Sequence, residues 1–119
     1  MIPIYIPYLN KKAKKYVSKC IETNWISSQG AYIHKFEKAL AKYHKVKYCI
    51  ATSSCTTALH LAIKSLNIGK GDEVITTPFS FVSTAEVIKL VGAKPVFVDV
   101  EEDTMLMDSK KIEEKITEK

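Results

Sequence analysis

An α/β fold is predicted for this chain by three observations. Short apolar runs at 46–52, 73–77 and 95–100 alternate with segments of helical periodicity. The runs are apolar on both faces, as strands of a parallel sheet covered on two sides are. Glycine and proline punctuate the boundaries between them.

Taken in order, Ala13, Tyr16, Val17, Cys20 and Ile21 recur at helical spacing and predict an amphipathic helix over 11–23. The loop "NWISSQG" follows, and Ile33, Phe36, Leu40 and Tyr43 then mark a second helix from about Ala31 to His44. "VKYCIAT" (46–52) reads as a strand, and Leu59, Ala62, Ile63 and Leu66 form the apolar face of a helix opening at Cys55. "IGKGDE" is a turn built on Gly69 and Gly71. "EVITT" (73–77) is a strand stopped by Pro78, and a helix over 83–91 ends at Gly92, a favoured residue just past a helix end. "PVFVDV" (95–100) is the third strand, and Asp108 or Ser109 caps a final helix running to the end of the chain.

Composition excludes several classes. The 119 residues are enough for one small domain, and 46% are hydrophobic in short, separated runs, an ordinary soluble globular balance. No apolar run reaches the roughly 18 residues a membrane-spanning helix needs. The start "MIPIYIPYLNKK" lacks the basic-then-apolar order of a signal peptide. Cys20, Cys49 and Cys55 are odd in number and have no metal-ligand spacing, which fits a reducing, cytoplasmic setting and no metal. The net charge is +5, but all 18 basic residues are lysines, spread from Lys11 to Lys119 among 13 acids. A nucleic-acid reader would cluster them and use arginine for paired contacts, so no nucleic acid is expected. Without arginine, the chain also has no two-pronged grip for a carboxylate.

Two loops carry chemistry. In open α/β sheets, ligands lie beyond the carboxyl ends of strands, where helix N-termini point. "ATSSCTTALHLAI" (51–63) passes there from strand to helix through five small residues, Thr52 to Thr56. The first amides of a helix lack internal acceptors and its dipole favours anions, so this stretch reads as a phosphate cradle. The alternative is a simple helix cap, with Ser53 or Ser54 accepting an amide hydrogen. "TTPFSFVSTAEVI" (76–88) repeats the architecture and carries Phe79 and Phe81, either able to stack on a flat ring or to plug the sheet end. Together the loops describe a site for a planar phosphorylated ligand.

The ordered tracts "NWISSQG", "ATSSCTT", "GDEVI", "TTPFSF" and "PVFVDV" make the chain resemble the N-terminal part of the DegT/DnrJ/EryC1/StrS aminotransferases. "WISSQG" is most similar to members that aminate position 4 of the sugar, the perosamine synthases. The resemblance runs from about Ile2 to the last residue. It implies the N-terminal part of a fold-type-I large domain: a helical segment over about 1–45, then a βαβαβα segment over 46–119, in an incomplete mixed sheet flanked by helices. The strand at 46–52 would lie at the far end of the complete sheet and lack a partner here, while those at 73–77 and 95–100 would pair in parallel.

The family's cofactor is pyridoxal 5'-phosphate. By the resemblance, Ser54, Cys55 and Thr56 occupy its Ser/Asn-Gly-Thr phosphate turn, amides near Thr56 and Thr57 hold the phosphate, and Phe81 stacks on the pyridine ring. Trp25, Ser28 and Gly30 line the loop toward the sugar, with Ser28 the polar contact. The implied reaction moves an amino group from a donor, glutamate, to a nucleotide-linked keto-sugar in amino-sugar or surface-polysaccharide biosynthesis. A homodimer is expected of the complete enzyme. The Schiff-base lysine and the pyridine-nitrogen partner lie beyond residue 119 in such enzymes, so no catalytic residue is assigned and Asp99 is read as structural. Cys55 departs from the family's glycine and is read as a tolerated small residue rather than a nucleophile. Two other readings stay open: a related sugar dehydratase, and a phosphate-binding module that catalyses nothing.

Overall fold

Residues 2–118 are described by the computed structural model. The chain divides into two compact units, residues 1–51 and 52–119.

The first unit is helical. Helix α1 (Lys11–Glu22) starts where the Asn10 side chain accepts the Ala13 amide at 2.9 Å, and Lys19 in its last turn faces the negative end of the helix dipole. Helix α2 (Ala31–His44) starts at Gly30 and ends at Lys45, whose left-handed backbone (φ 55°) lets the Val46 amide reach back to the Ala41 carbonyl at 3.0 Å. The rings of Tyr16 and Tyr32 meet across the two helices, with centroids 5.0 Å apart. The Glu37 carboxylate accepts the Ala51 amide at 3.0 Å and holds the end of the following segment against α2.

That segment, 46–52, is not a strand. Among the described residues no strand pairs with it, and Val46, Tyr48 and Ile50 are exposed. Its β-branched and aromatic content favours extended backbone, but a strand is defined by a neighbour, and none is present.

The second unit is built on one parallel strand pair. Strand β1 (Glu73–Thr76) lies beside β2 (Lys94–Phe97) in the register Glu73↔Lys94 to Thr76↔Phe97. Helix α3 (Cys55–Ser65) precedes β1, and helix α4 (Ser83–Leu90) crosses from β1 to β2. Parallel strands need such a crossover because a tight hairpin cannot join them. Val87 and Ile88 of α4, with Ala93 and Val98, are the buried apolar residues, and Ser83 is the buried polar one. Lys94 Nζ meets Glu73 Oε1 at 2.8 Å, but the lysine is largely exposed, so this pair adds little stability.

Two turns set the geometry at the amino end of β1. The Asp72 carboxylate accepts the Gly69 amide at 2.7 Å, and Gly71 takes φ +104°. After α4, Gly92 takes φ +88°, and a Cβ there would meet the Lys70 backbone nitrogen at 3.5 Å. The C-terminal ends of α3 and α4 therefore meet at one end of the unit. Because α3 packs on α4, both helix N-termini emerge toward the other end, where β1 finishes.

The final helix expected from 108 onward is also corrected. Two 3-10 turns, Ser109–Lys111 and Glu113–Lys115, stand in its place. The Asp108 side chain does cap, accepting the Lys110 amide at 3.0 Å. With only Ile112 and Ile116 offering an apolar face, however, little packing offsets the cost of helix nucleation.

The apolar surface left open predicts behaviour in solution. Tyr48, Ile50, Leu61, Leu66, Phe79 and Phe81 are among many large apolar residues that stay exposed, far more than a stable monomer presents. The 119-residue chain is expected to self-associate and to unfold at low denaturant. Sedimentation velocity and urea titration check this, and a monodisperse monomer with a steep, late transition would contradict it. Gly92→Ala should lower stability further, by about 1 kcal/mol, because φ is positive there.

Candidate functional site

The loop entering α3 is organised by reciprocal hydrogen bonds. The Ser54 hydroxyl accepts the Thr57 amide at 3.2 Å, and the Thr57 hydroxyl accepts the Ser54 amide at 3.1 Å, a capping box. The Thr57 hydroxyl proton goes to the Ser54 carbonyl at 2.8 Å, which also accepts from Thr52 Oγ1 at 3.0 Å and the Ala58 amide at 3.1 Å. Ser53 Oγ lies 3.4 Å from Thr57 Oγ1. Both sequence readings of this loop thus meet in one place: Ser54 is the cap, and the cap decides which donors remain.

Thr57's amide is occupied. The amides of Cys55 and Thr56 have no acceptor among the described residues. They are the first two of α3 and sit where the helix dipole is most positive. The donor pair therefore falls one residue earlier than Thr56 and Thr57. Cys55 is exposed and Thr56 half-buried, so an anion can approach from solvent. Donor type, number and access fit a phosphate group.

The loop between β1 and α4 displays its aromatics. Phe81 is 75% and Phe79 63% exposed, so neither ring plugs the sheet end. The Phe81 carbonyl accepts both the Thr84 amide (3.1 Å) and the Thr84 hydroxyl (2.9 Å), which fixes the backbone beneath the ring. A second local bond, Phe79 amide to Thr77 Oγ1 at 3.1 Å, stiffens the loop before it. Asp99 is held locally: its carboxylate accepts the Val100 amide at 2.8 Å and its carbonyl accepts the Asp108 amide at 2.9 Å.

Trp25, Ser28 and Gly30 belong to the first unit. The Trp25 amide closes α1 on the Cys20 carbonyl at 2.9 Å, and the indole is about half exposed. Gly30 is buried, and a Cβ there would lie 3.3 Å from the Ser27 carbonyl oxygen, tight enough that the turn requires glycine. Ser28 is exposed. Beside this loop Lys19, Thr23, Tyr32 and Lys35 line a cleft with Trp25. In sequence these residues read only as helix faces, because their approach depends on how α1 and α2 pack. Among the described residues no cluster could hold a metal ion, and no helix is long and apolar enough to cross a membrane.

Known proteins share this pattern. The chain is 45% identical over 118 residues to GDP-perosamine synthase of Escherichia coli O157:H7, a match covering 99% of the chain and 32% of that protein. The chain thus spans about a third of the length of the curated relatives it matches. Among solved structures, an aminotransferase from Psychrobacter cryohalolentis superposes with a TM-score of 0.86 at 33% identity, over 93% of this chain and 28% of that one. NtdA from Bacillus subtilis, solved with bound cofactor PMP, gives 0.83 at 34% identity, over 92% and 26%. The model of the DegT/DnrJ/EryC1/StrS aminotransferase family matches residues 7–119, and the chain belongs to that family.

Proposed function

We propose that this chain forms the cofactor-phosphate turn and part of the sugar pocket of a pyridoxal-phosphate-dependent aminotransferase acting on a nucleotide-linked keto-sugar. The observation that carries the reading is the pair of acceptor-free amides, Cys55 and Thr56, at the head of α3 in a chain of this family. It is supported by a relative named for GDP-perosamine synthesis and by a neighbour solved with PMP. The full activity, with glutamate as amino donor, a homodimer as the working unit and surface-polysaccharide or amino-sugar biosynthesis as its setting, belongs to the same proposal.

Each residue has a stated task. The Cys55 and Thr56 amides donate to the phosphate, and the α3 dipole adds to the attraction. The Ser54 hydroxyl holds the Thr57 amide and keeps the helix start in shape, so its part in binding is to position the two donors. Phe81 covers one face of the pyridine ring and excludes water from it. When bound, the cofactor supplies the electron sink that amino transfer needs. Trp25, Ser28 and Gly30 form the sugar-side loop, in which Gly30 permits the tight turn and Ser28 offers its hydroxyl to the sugar. No residue of this chain is assigned the proton transfers, so residues 1–119 bind and orient but do not catalyse.

Three outcomes test this. A polypeptide of these 119 residues should transfer no amino group from glutamate to a nucleotide keto-sugar; turnover that survives stringent purification would overturn the assignment. In a protein of the relatives' full length carrying this segment, Phe81→Ala should weaken cofactor binding by about 1 kcal/mol beyond the lost contact area. Absorbance titration reads that loss, and unchanged affinity would remove the stacking role. Cys55→Gly in the same protein should bind the cofactor equally or more tightly, since glycine lets the phosphate approach the amides more closely. Lost activity with binding intact would restore Cys55 as a reacting group.

A further inference from the structure

The first unit is strongly basic. Residues 1–51 hold ten lysines and only two acids, Glu22 and Glu37. The excess of positive charge in the whole chain therefore comes from this unit, which attracts anions. Most of these lysines lie along exposed helix faces, but two of them share a concave place with aromatic rings.

That place is a cleft of about 230 Å³ where the end of α1 meets the start of α2. Lys19 and Lys35 line it together with Trp25, Tyr32 and Thr23. Lys35 Nζ lies 5.1 Å from the centroid of the Tyr32 ring, within cation–π range, so its charge is held beside an aromatic wall. Lys19 is exposed, and neither lysine forms an ion pair among the described residues. Trp25 adds a half-exposed indole face. The cleft adjoins a larger apolar groove of about 620 Å³, and the two share Cys20, Tyr32 and Lys35.

We propose that this cleft is a nucleoside diphosphate subsite, in which Lys19 and Lys35 pair with the diphosphate and Trp25 stacks on the base. Rings beside unpaired ammonium groups match a ligand that is flat at one end and doubly anionic at the other. A cleft this size holds a single base. Extended nucleic acid would need a longer basic track with rings spaced along it. The inference rests on the reading of the substrate as a nucleotide-linked sugar, and it assigns the nucleotide end to residues that precede and follow the sugar-side loop 25–30.

Trp25 is the single tryptophan of the chain, which makes the test direct. Indole fluorescence, excited on the red edge where bases do not absorb, is followed while GDP, UDP or inorganic pyrophosphate is added to the 119-residue chain. The expected result is saturable quenching by a nucleoside diphosphate, with much weaker effect from pyrophosphate. Lys19→Gln with Lys35→Gln should weaken that binding about tenfold while leaving helical circular dichroism unchanged. No quenching, equal quenching of the double variant, or displacement by single-stranded DNA of matched charge would each overturn the subsite. In the full-length protein, the half-reaction with the amino donor alone needs no nucleotide. If that half-reaction runs while the cleft binds no diphosphate, the subsite is wrong and the aminotransferase reading stands. If it fails while the cleft binds diphosphate, the reverse holds.

Discussion

The burial of one helix face on one strand pair holds the second unit together. Val87 and Ile88 of α4 close against Ala93 and Val98, and these are the four apolar residues that reach full burial. Without that contact the parallel pair β1–β2 would have no crossover fixing its register, and a two-stranded sheet has little stability of its own. Other features of the unit follow from it. The turn at 69–72 rests on Gly92 at the end of α4, α3 lies along α4, and the loops 52–57 and 77–82 are sent to the carboxyl end of β1. The site is thus positioned by a core that contains none of its residues.

At the site itself, a structural bond and a functional donor compete for the same amides. A helix start has a handful of N–H groups without internal partners, and each one used by a cap is lost to a ligand. Here Ser54 and Thr57 satisfy each other, and the cap leaves two donors rather than three. This division is useful. A capped helix keeps its first turn ordered, so the Cys55 and Thr56 amides already point outward before any anion arrives. The side chain of Cys55 stands at the first helical position, where it is exposed and the backbone remains reachable beside it.

What could be read in the sequence was what local chemistry decides. Helices α1 to α4 lie within a residue or two of the ranges that apolar spacing and end signals mark, and β1 and β2 pair in parallel as their two-sided apolar runs suggest. The elements that differ depend on partners. The 46–52 run has strand composition, yet pairing needs another chain segment, and the Ala51 amide turns to Glu37 instead. The 109–116 segment has a good cap but no surface to pack on. At the phosphate turn, small polar residues identified the place, whereas the choice between the Thr57 and Cys55 amides came from a reciprocal bond that spacing alone left open. The cleft between Lys19 and Lys35 was illegible for the same reason, since it exists only once two helices meet.

The chain spans under a third of a solved relative, yet superposes on it with a TM-score of 0.86. Geometry and stability are therefore set at different ranges. Caps, left-handed turn residues and apolar periodicity act over a few residues and specify the shape of each element wherever the remainder of a fold is. Burial acts over the whole domain, and here it reaches only a few side chains while Tyr48, Ile50, Leu61 and Phe81 remain open. Exposure then means different things at different positions. Leu61 and Ile50 lie on faces whose apolar character suits packing, and covering them would add stability. Phe81 sits on a loop pinned by Thr84, with its ring clear of the core, and covering it with a flat ligand would add binding instead. The backbone bonds beneath the ring make that distinction, because a residue meant only to fill a core has no need of a loop fixed before the core closes.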